Sequence, residues 1–463
     1  ALELLDAKFA DMHIRKYAVS RLEEMRDSEL AGYVLQLVQV LKYEARHDSA
    51  LARFLLRRAL ACPHQVGHQF FWCLKAEMHL PEVSERFGLY IQEYMRCCGP
   101  HRETIQLQCQ VEQALIAAAY LVQSLPKSQR IPALRDELRK ISFPPQFQLP
   151  LDPRFECSGL KVDKCKCMSS KKVPLWLVFT NSDPCGKDLY VMFKCGDDLR
   201  QDALTLQIIR IMERTWESEG LDLRLSPYAC VATGDEIGFL EIVLNSDTTA
   251  NITKRFAGGA TGAFSKEPMA LFLRENNADT EAQYQEAVQT FCMSLAGYCV
   301  ATYIMGIGDR HNDNVMLSKA GHLFHIDFGH FLGNFKSKFG IKRERAPFVM
   351  TPDFAYVLGD KGSEKFEEFV GISCQAYNVM RKHGKLLITL FSLMLSTGIP
   401  ELQKAEDIDW LRDCLMVDRQ HEAEDEEYQY ELSREHFTKL IYTSLATRTT
   451  QFNNAVHILA HSK

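Results

Sequence analysis

The sequence predicts an α+β chain: an α-solenoid of paired helices, then a two-lobed domain with a strand-rich small lobe and a helical large lobe. Three observations predict it. Residues 1 to about 141 carry one amphipathic helical pattern after another. A Pro-rich joint, SFPPQFQLPLDP at 142–153, cannot continue a helix. Beyond it the composition turns to short apolar strand runs and then back to helices. The expected divisions are a solenoid over 1–141, a linker over 142–153 and a catalytic domain over 154–463. That domain divides into a small lobe of about 154–243 and a large lobe of about 244–463.

In the solenoid, DSELAGYVLQLVQVLKYE opens on a capping Asp27 or Ser28 and sets Leu30, Val34, Leu37, Val38 and Leu41 on one face. DSALARFLLRRAL follows, capped by Asp48 or Ser49. PEVSERFGLYIQEYMRCCG starts at Pro81, a residue suited to a first helical turn. No fixed-period repeat accompanies these helices, so the solenoid rests on their pairing. After the joint, PLWLVFT, LYVMFK and LEIV at Leu240–Val243 read as strands, and DLRQDALTLQIIRIMERTW reads as a helix. From QYQEAVQTFCMSLAGYCVATYIMGIG onward helices dominate again.

Bulk numbers exclude several classes. The formal net charge of −6 argues against a general nucleic-acid binder. Charge is uneven: 422–431 (EAEDEEYQYE) is acidic and 336–345 (KSKFGIKRER) is basic, which suits a local anionic ligand. Fifteen cysteines without a C-x-x-C pair argue for reduced thiols and against a zinc ribbon. The run LLITLFSLMLSTGI from Leu386 is well short of the ~20 residues of a bilayer span and reads as a buried helix. No signal peptide is visible, and the sequence opens at Ala1 within an apparent helix, as part of a longer chain would.

Gly306 to His330, GIGDRHNDNVMLSKAGHLFHIDFGH, carries the chemistry. VML and LFHI flank the turn-like SKAG. A hairpin centred between Ala320 and Gly321 would set Asn314 opposite Asp327, two oxygen ligands able to share a hard cation such as Mg²⁺. The protein-kinase catalytic loop is H-R-D-x-x-x-x-N followed by D-F-G. Here Asp309 and Asn314 keep the same five-residue spacing and Asp327-Phe328-Gly329 follows, while a histidine, His311, lies inside the frame. Neutral imidazole suits removal of an alcohol proton near pH 7. There is neither a Walker A sequence nor G-x-G-x-x-G, and GGATGAF at Gly258 reads as a connection. Lys194 closes the strand LYVMF, where a phosphate-binding lysine would stand.

Together these stretches resemble the phosphoinositide 3-kinase catalytic subunits, class I most closely. CMSSKKVPLWL, FKCGDDLRQDALTLQIIRIM, LAGYCVATYIMGIGDRHNDN, LFHIDFGHFLGNFKSKFGIKRERAPF and GIPEL carry the resemblance, and QLVQVLKYE, LARFLL and FFW look like the family's helical domain. The likeness reaches to about residue 420. It implies a helical domain followed by a bilobal, protein-kinase-like lipid kinase domain. Such an enzyme transfers the ATP γ-phosphate to the 3-hydroxyl of phosphatidylinositol 4,5-bisphosphate, and of phosphatidylinositol and its 4-phosphate, with Mg²⁺.

By motif position, the resemblance implies that Met168 to Trp176 forms the loop over ATP, with Ser170 and Lys172 at its phosphates. Lys194 meets the α-phosphate, Asp202 and Tyr228 line the inner pocket, and Glu241 and Val243 form the adenine hinge. Met316 and Ile326 floor the adenine site. Asn314 and Asp327 hold the metal, and Asp309 and His311 serve the lipid hydroxyl. Lys336, Lys338, Lys342, Arg343 and Arg345 meet inositol phosphates.

The implied partners are a phosphoinositide lipid, an SH2-containing regulatory subunit and a Ras-type GTPase acting through regions outside this stretch. The implied place is the cytoplasm and the inner face of the plasma membrane. Two departures stand out. The adaptor-binding, Ras-binding and C2-like regions have no counterpart here. The tail puts Asn454-Ala455-Val456 where the family carries an aromatic membrane-touching element, which argues against unaided membrane engagement. Two rival readings are a protein serine/threonine kinase of the related superfamily and a non-catalytic helical scaffold. Clustered cations after DFG favour a polyanionic headgroup over the first, and the retained Lys194, Asp309, Asn314 and Asp327 oppose the second.

Overall fold

The structure is a computed structural model. It describes residues 1–168, 170, 172–258, 262, 264–335, 337–338, 341–342, 346–421, 425–447, 450 and 454. These form two compact units. One comprises Ala1–Leu206, Tyr228–Val243 and Ser392–Thr397; the other comprises Gln207–Pro227, Leu244–Phe391 and Gly398–Lys463.

The first unit contains both the helices and the larger sheet. Its main helices are Met12–Leu22, Ala50–Ala61, His68–Lys75, Pro81–Cys97, His101–Ser124 and Lys127–Leu138. Ser49 caps its helix by accepting the Ala52 amide, as its position before the apolar run predicts. The expected continuous helix from Asp27 is instead broken into Asp27–Leu30, a 3₁₀ turn, Val34–Val40 and a second 3₁₀ turn over Leu41–Tyr43. Its cap position is Arg26, with no side-chain cap bond. Burial of Leu30, Val34, Leu37, Val38 and Leu41 survives the break, because packing rather than continuity selects that face.

Helix His101–Ser124 serves two cores. Ile105 joins Phe54, Phe70, Trp72 and Phe87 among the helices. Leu115 and Val122 join Leu177, Phe179, Phe193 and Phe239 of the sheet. The strands are β1 (Phe147–Leu149), β2 (Asp152–Leu160), β3 (Lys166–Cys167), β4 (Leu175–Asn181), β5 (Leu189–Cys195), β6 (Cys230–Gly234) and β7 (Ile237–Glu241). All pairings are antiparallel, in the order β1-β2-β4-β5-β7-β6, with β3 also on β4. β1 and the start of β2 fall inside the Pro-rich joint. Pro144 and Pro145 exclude helix there but leave the following extended residues free to pair.

The second unit is built on the helix Glu281–Ile304, opened by a Thr280–Gln283 capping box. It is long and apolar enough to cross a bilayer, yet 83% of its apolar window is buried inside the protein. A helix apolar on every side needs packing on every side. The run from Leu386 forms the helix Gly384–Ser392 with Leu387, Leu390 and Phe391 buried. Helices Glu364–Lys382 and Glu426–Ala446 meet through Tyr377 and Phe437, whose rings stack 5.1 Å apart. A second sheet, ordered β10-β9-β8, holds β8 (Ser246–Thr248), β9 (Val315–Ser318) and β10 (Leu323–His325). All fifteen cysteines are free thiols.

Candidate active site

The register of the β9–β10 hairpin corrects one expectation. Val315 faces His325, Met316 faces Phe324 and Leu317 faces Leu323. The turn is therefore three residues, Lys319 to Gly321, centred on Ala320, not a two-residue turn after it. Gly321 has φ +96°, and a Cβ there would lie 2.1 Å from the Ala287 carbonyl oxygen, so glycine permits both the turn and the close approach. Continuing the ladder, the Ile326 amide donates to Asn314 O at 3.0 Å. Asn314 thus faces Ile326, and Asp327 stands one residue past it. There the backbone turns left-handed, with φ 60° at Asp327.

Asp309 is also left-handed, at φ 56°. Two non-glycine carboxylates in this sparsely used region mark a backbone over-determined by its surroundings. Asn314 supplies much of that constraint. It is 4% exposed. Its Nδ2 donates to the Asp309 carbonyl at 2.6 Å, and its Oδ1 accepts the His311 amide at 2.9 Å. A side-chain carbonyl keeps a second lone pair, so Asn314 Oδ1 can still meet a hard cation. Together with the Asp327 carboxylate, which lies on an exposed residue, it gives an all-oxygen donor set that fits Mg²⁺.

His311 meets donors at both ring nitrogens. The Asp313 amide reaches Nδ1 at 3.2 Å, and Asn314 Nδ2 approaches Nε2 at 3.4 Å. A neutral imidazole carries one N–H and one lone pair, so it can accept from one of these two donors.

Arg310, which motif spacing left without a role, ties the two arms together. Its Nε donates to Gly308 O at 2.9 Å, Nη1 to Ile326 O at 2.8 Å and Nη2 to Asp327 O, with the guanidinium 5.6 Å from the Phe328 ring centroid. Beneath it, His325 stacks on Tyr298 at 5.4 Å. Burial, reinforced by the Arg310 charge, holds the His325 ring well below the usual imidazole range.

Further bonds join the arms: Gly308 N to His330 O at 3.0 Å and Gly333 N to Gly306 O at 3.1 Å. Gly306 has φ +56°, and a Cβ there would meet Gly333 N at 2.4 Å. Glu401 grips the turn after DFG, with Oε1 2.7 Å from His330 Nδ1 and Oε2 accepting the Phe331 amide at 2.6 Å. The GIPEL stretch gave the sequence signal for Glu401, without a role.

The other unit holds the residues expected on the nucleotide side. Lys194 stands on β5 opposite Gly238 of β7, its side chain 18% exposed and 3.9 Å from Asp197. Trp176 lies on β4 beside Lys166, whose ammonium is 4.7 Å from its ring centroid. Between β3 and β4, the Met168 amide donates to Pro174 O at 2.9 Å and the Val173 amide to Ser170 O at 3.2 Å; Lys172 O accepts from Gln123 at 2.9 Å. Asp202 lies in the first turn of helix Arg200–Ser218, and it and Tyr228 are buried. Glu241 ends β7, the strand stopping short of the expected Val243, and its carboxylate accepts the Ala229 amide at 2.8 Å.

Met316 and Ile326 are half-buried residues of the hairpin in the second unit. Of the expected headgroup cations, Lys338 lies on β11 (Ser337–Lys338) and Lys342 on β12 (Ile341–Lys342), which pair antiparallel. Lys336, Arg343 and Arg345 lie outside the described residues, as do most of GGATGAF and the tail residues Ala455 and Val456.

Comparison with known proteins gives two family matches. Residues 188–404 match the phosphatidylinositol 3- and 4-kinase family, and residues 1–106 match the accessory (PIK) domain of the phosphoinositide 3-kinase family. The chain is 54% identical over 462 residues to phosphatidylinositol 3-kinase 2 of Dictyostelium discoideum and 52% identical to phosphatidylinositol 3-kinase 1 of the same organism. It is 44% identical over 473 residues to the human phosphatidylinositol 4-phosphate 3-kinase C2 domain-containing subunit beta. Each alignment covers 100% of this chain but only 24%, 29% and 28% of the relative, so the chain spans about a quarter of the length of the curated relatives it matches.

Proposed function

Because the chain belongs to the phosphoinositide 3-kinase family, we propose that it transfers the γ-phosphate of ATP to the 3-hydroxyl of a phosphatidylinositol lipid. The observation that carries this reading is the clamp of Asn314 on the strained Asp309, one residue out of register from Asp327. It sets two carboxylates, an imidazole and an amide oxygen on one pair of arms.

Each residue then has a physical task. Asn314 and Asp327 would hold Mg²⁺, which when bound neutralises phosphate charge. His311 takes the lipid hydroxyl proton, and Asp309 orients that hydroxyl. Lys194 offers a compact point charge to the α-phosphate. Met168, Ser170, Lys172 and Trp176 cover the nucleotide, Asp202 and Tyr228 line its inner side, Glu241 and Val243 meet adenine through main-chain groups, and Met316 and Ile326 pack below it.

The proposed substrates are phosphatidylinositol 4,5-bisphosphate first, with the 4-phosphate and phosphatidylinositol as alternatives. Five cations between 336 and 345 favour a headgroup with several phosphates. The human relative is named for the 4-phosphate, which makes that lipid the direct competitor. An SH2-containing regulatory subunit, a Ras-type GTPase and recruitment from the cytoplasm to the plasma membrane extend the same reading. Transfer of labelled phosphate to the three lipids at equal surface density tests it. The bisphosphate is expected to lead, and no labelled lipid from any of them contradicts the reading.

A further inference from the structure

Asp353 has no role in the reading above, yet it shares a polar pocket with the catalytic loop. His311, Asn312, Thr249, Thr351, Asp353 and Phe354 are among the residues that line it. All belong to the second unit. The free space is narrow, admitting about one or two water molecules.

The pocket holds an unmet demand for a donor. Asn312 is 4% exposed, and among the described residues its Oδ1 has no hydrogen-bond partner. Leaving a buried acceptor unmet costs about 1–3 kcal/mol. The main chain of Asn312 is engaged on both sides. Its carbonyl accepts from Thr249 Oγ1 at 2.9 Å and from the Ala250 amide at 2.9 Å, and its amide donates to Asn454 Oδ1 at 3.1 Å. Asp353 lines the same space and brings a second acceptor, its carboxyl. Among the described residues it forms no ion pair. Burial pushes it up to about 6, which the amides of Asp353 and Phe354 oppose without cancelling. Two acceptors around a water-sized polar space call for an occupant that donates twice, as water does.

We propose that Asp353 is a positioning residue for the catalytic loop, joined to the Asn312 side chain by buried water and fixing from behind the segment that carries Asp309, His311 and Asn314. The role rests on the lipid-kinase reading, because turnover is its readout. Asp353 touches neither nucleotide nor lipid in this account. Its removal should therefore lower kcat and leave the KM for ATP alone. Losing an outer partner of a reacting group typically costs about 10–100-fold.

The test uses the full-length protein with phosphatidylinositol vesicles and compares wild type, Asp353→Asn, Asn312→Ala and the double variant. The expected result is a kcat about 10–100-fold lower in each single variant, with ATP KM and melting temperature unchanged. The double variant should be no slower than the slower single, because both remove one bridge. Wild-type kcat in Asp353→Asn, or losses that multiply in the double variant, overturns the role. If Asp353→Asn fails to fold, Asp353→Glu in the same cycle replaces it, with the same non-additivity expected and multiplying losses again overturning the role. A wild type that makes no 3-phosphoinositide overturns the kinase reading itself, a different failure from an active wild type with an equally active Asp353→Asn.

Discussion

Asn314 donates its side-chain amide to the main-chain carbonyl of Asp309 at 2.6 Å. The same side chain accepts the His311 amide at 2.9 Å, so one residue sets the conformation of the loop and offers an oxygen to a metal. The two tasks separate by substitution. Asn314→Ala loses both, and turnover should fall by about 100-fold or more. Asn314→Asp keeps an oxygen but cannot donate to Asp309 O. It should retain more turnover than the alanine variant as Mg²⁺ is raised. Indistinguishable Mg²⁺ dependence in the two variants would remove the metal role and leave only the clamp.

Arg310 should not tolerate lysine. The guanidinium fork reaches three carbonyls on both arms, and a lysine ammonium cannot span that geometry. Hydrogen bonds to a charged group contribute about 1.5–3 kcal/mol each. Arg310→Lys is expected to lower the melting temperature by several degrees and kcat by about tenfold or more. Differential scanning calorimetry beside steady-state kinetics checks both. Unchanged kcat would mean that the arms are positioned without the fork.

His311 is the proposed base, and a general base contributes about 10²–10⁴-fold. His311→Asn should lose lipid phosphorylation by that factor while binding ATP as the wild type does. Turnover measured beside ATP affinity decides it. Full activity would reduce His311 to a loop brace and pass the proton to Asp309.

Replacing Lys336, Lys338, Lys342 and Arg343 by alanine should damage use of the 4,5-bisphosphate more than use of phosphatidylinositol. The extra phosphates are what those cations would recognise. The contrast should shrink at high salt, since exposed charges are screened. Assays at matched surface charge in phosphatidylserine vesicles separate headgroup recognition from general attraction to an anionic surface. Equal losses on both lipids would leave only the latter.

Much of this was legible in the sequence, and what was not has physical causes. Pro81 and Ser49 announced helix starts because capping and proline preferences are local. The break within 27–43 was not legible. Its apolar face is continuous, and the 3₁₀ turns answer to tertiary packing. D-R-H-x-x-N singled out Asp309, His311 and Asn314 through its likeness to the kinase catalytic loop, with Asp309 and Asn314 in the same five-residue spacing. The one-residue register shift depended on Gly321 approaching the Ala287 carbonyl, a contact between segments far apart in the chain. Arg310, Glu401 and Asp353 act on main chain or through a pocket, so no spacing rule names them.

The measurement that tests the central claim most directly is transfer of γ-labelled phosphate from ATP to phosphatidylinositol by the full-length protein and its Asp327→Asn variant, with the position of the new phosphate determined on the deacylated product. The expected result is a 3-phosphorylated product from the wild type. The variant should lose turnover by orders of magnitude while its melting curve stays unchanged, because only the proposed metal carboxylate has been neutralised. Phosphate at another hydroxyl, or near wild-type turnover in the folded variant, would contradict the account.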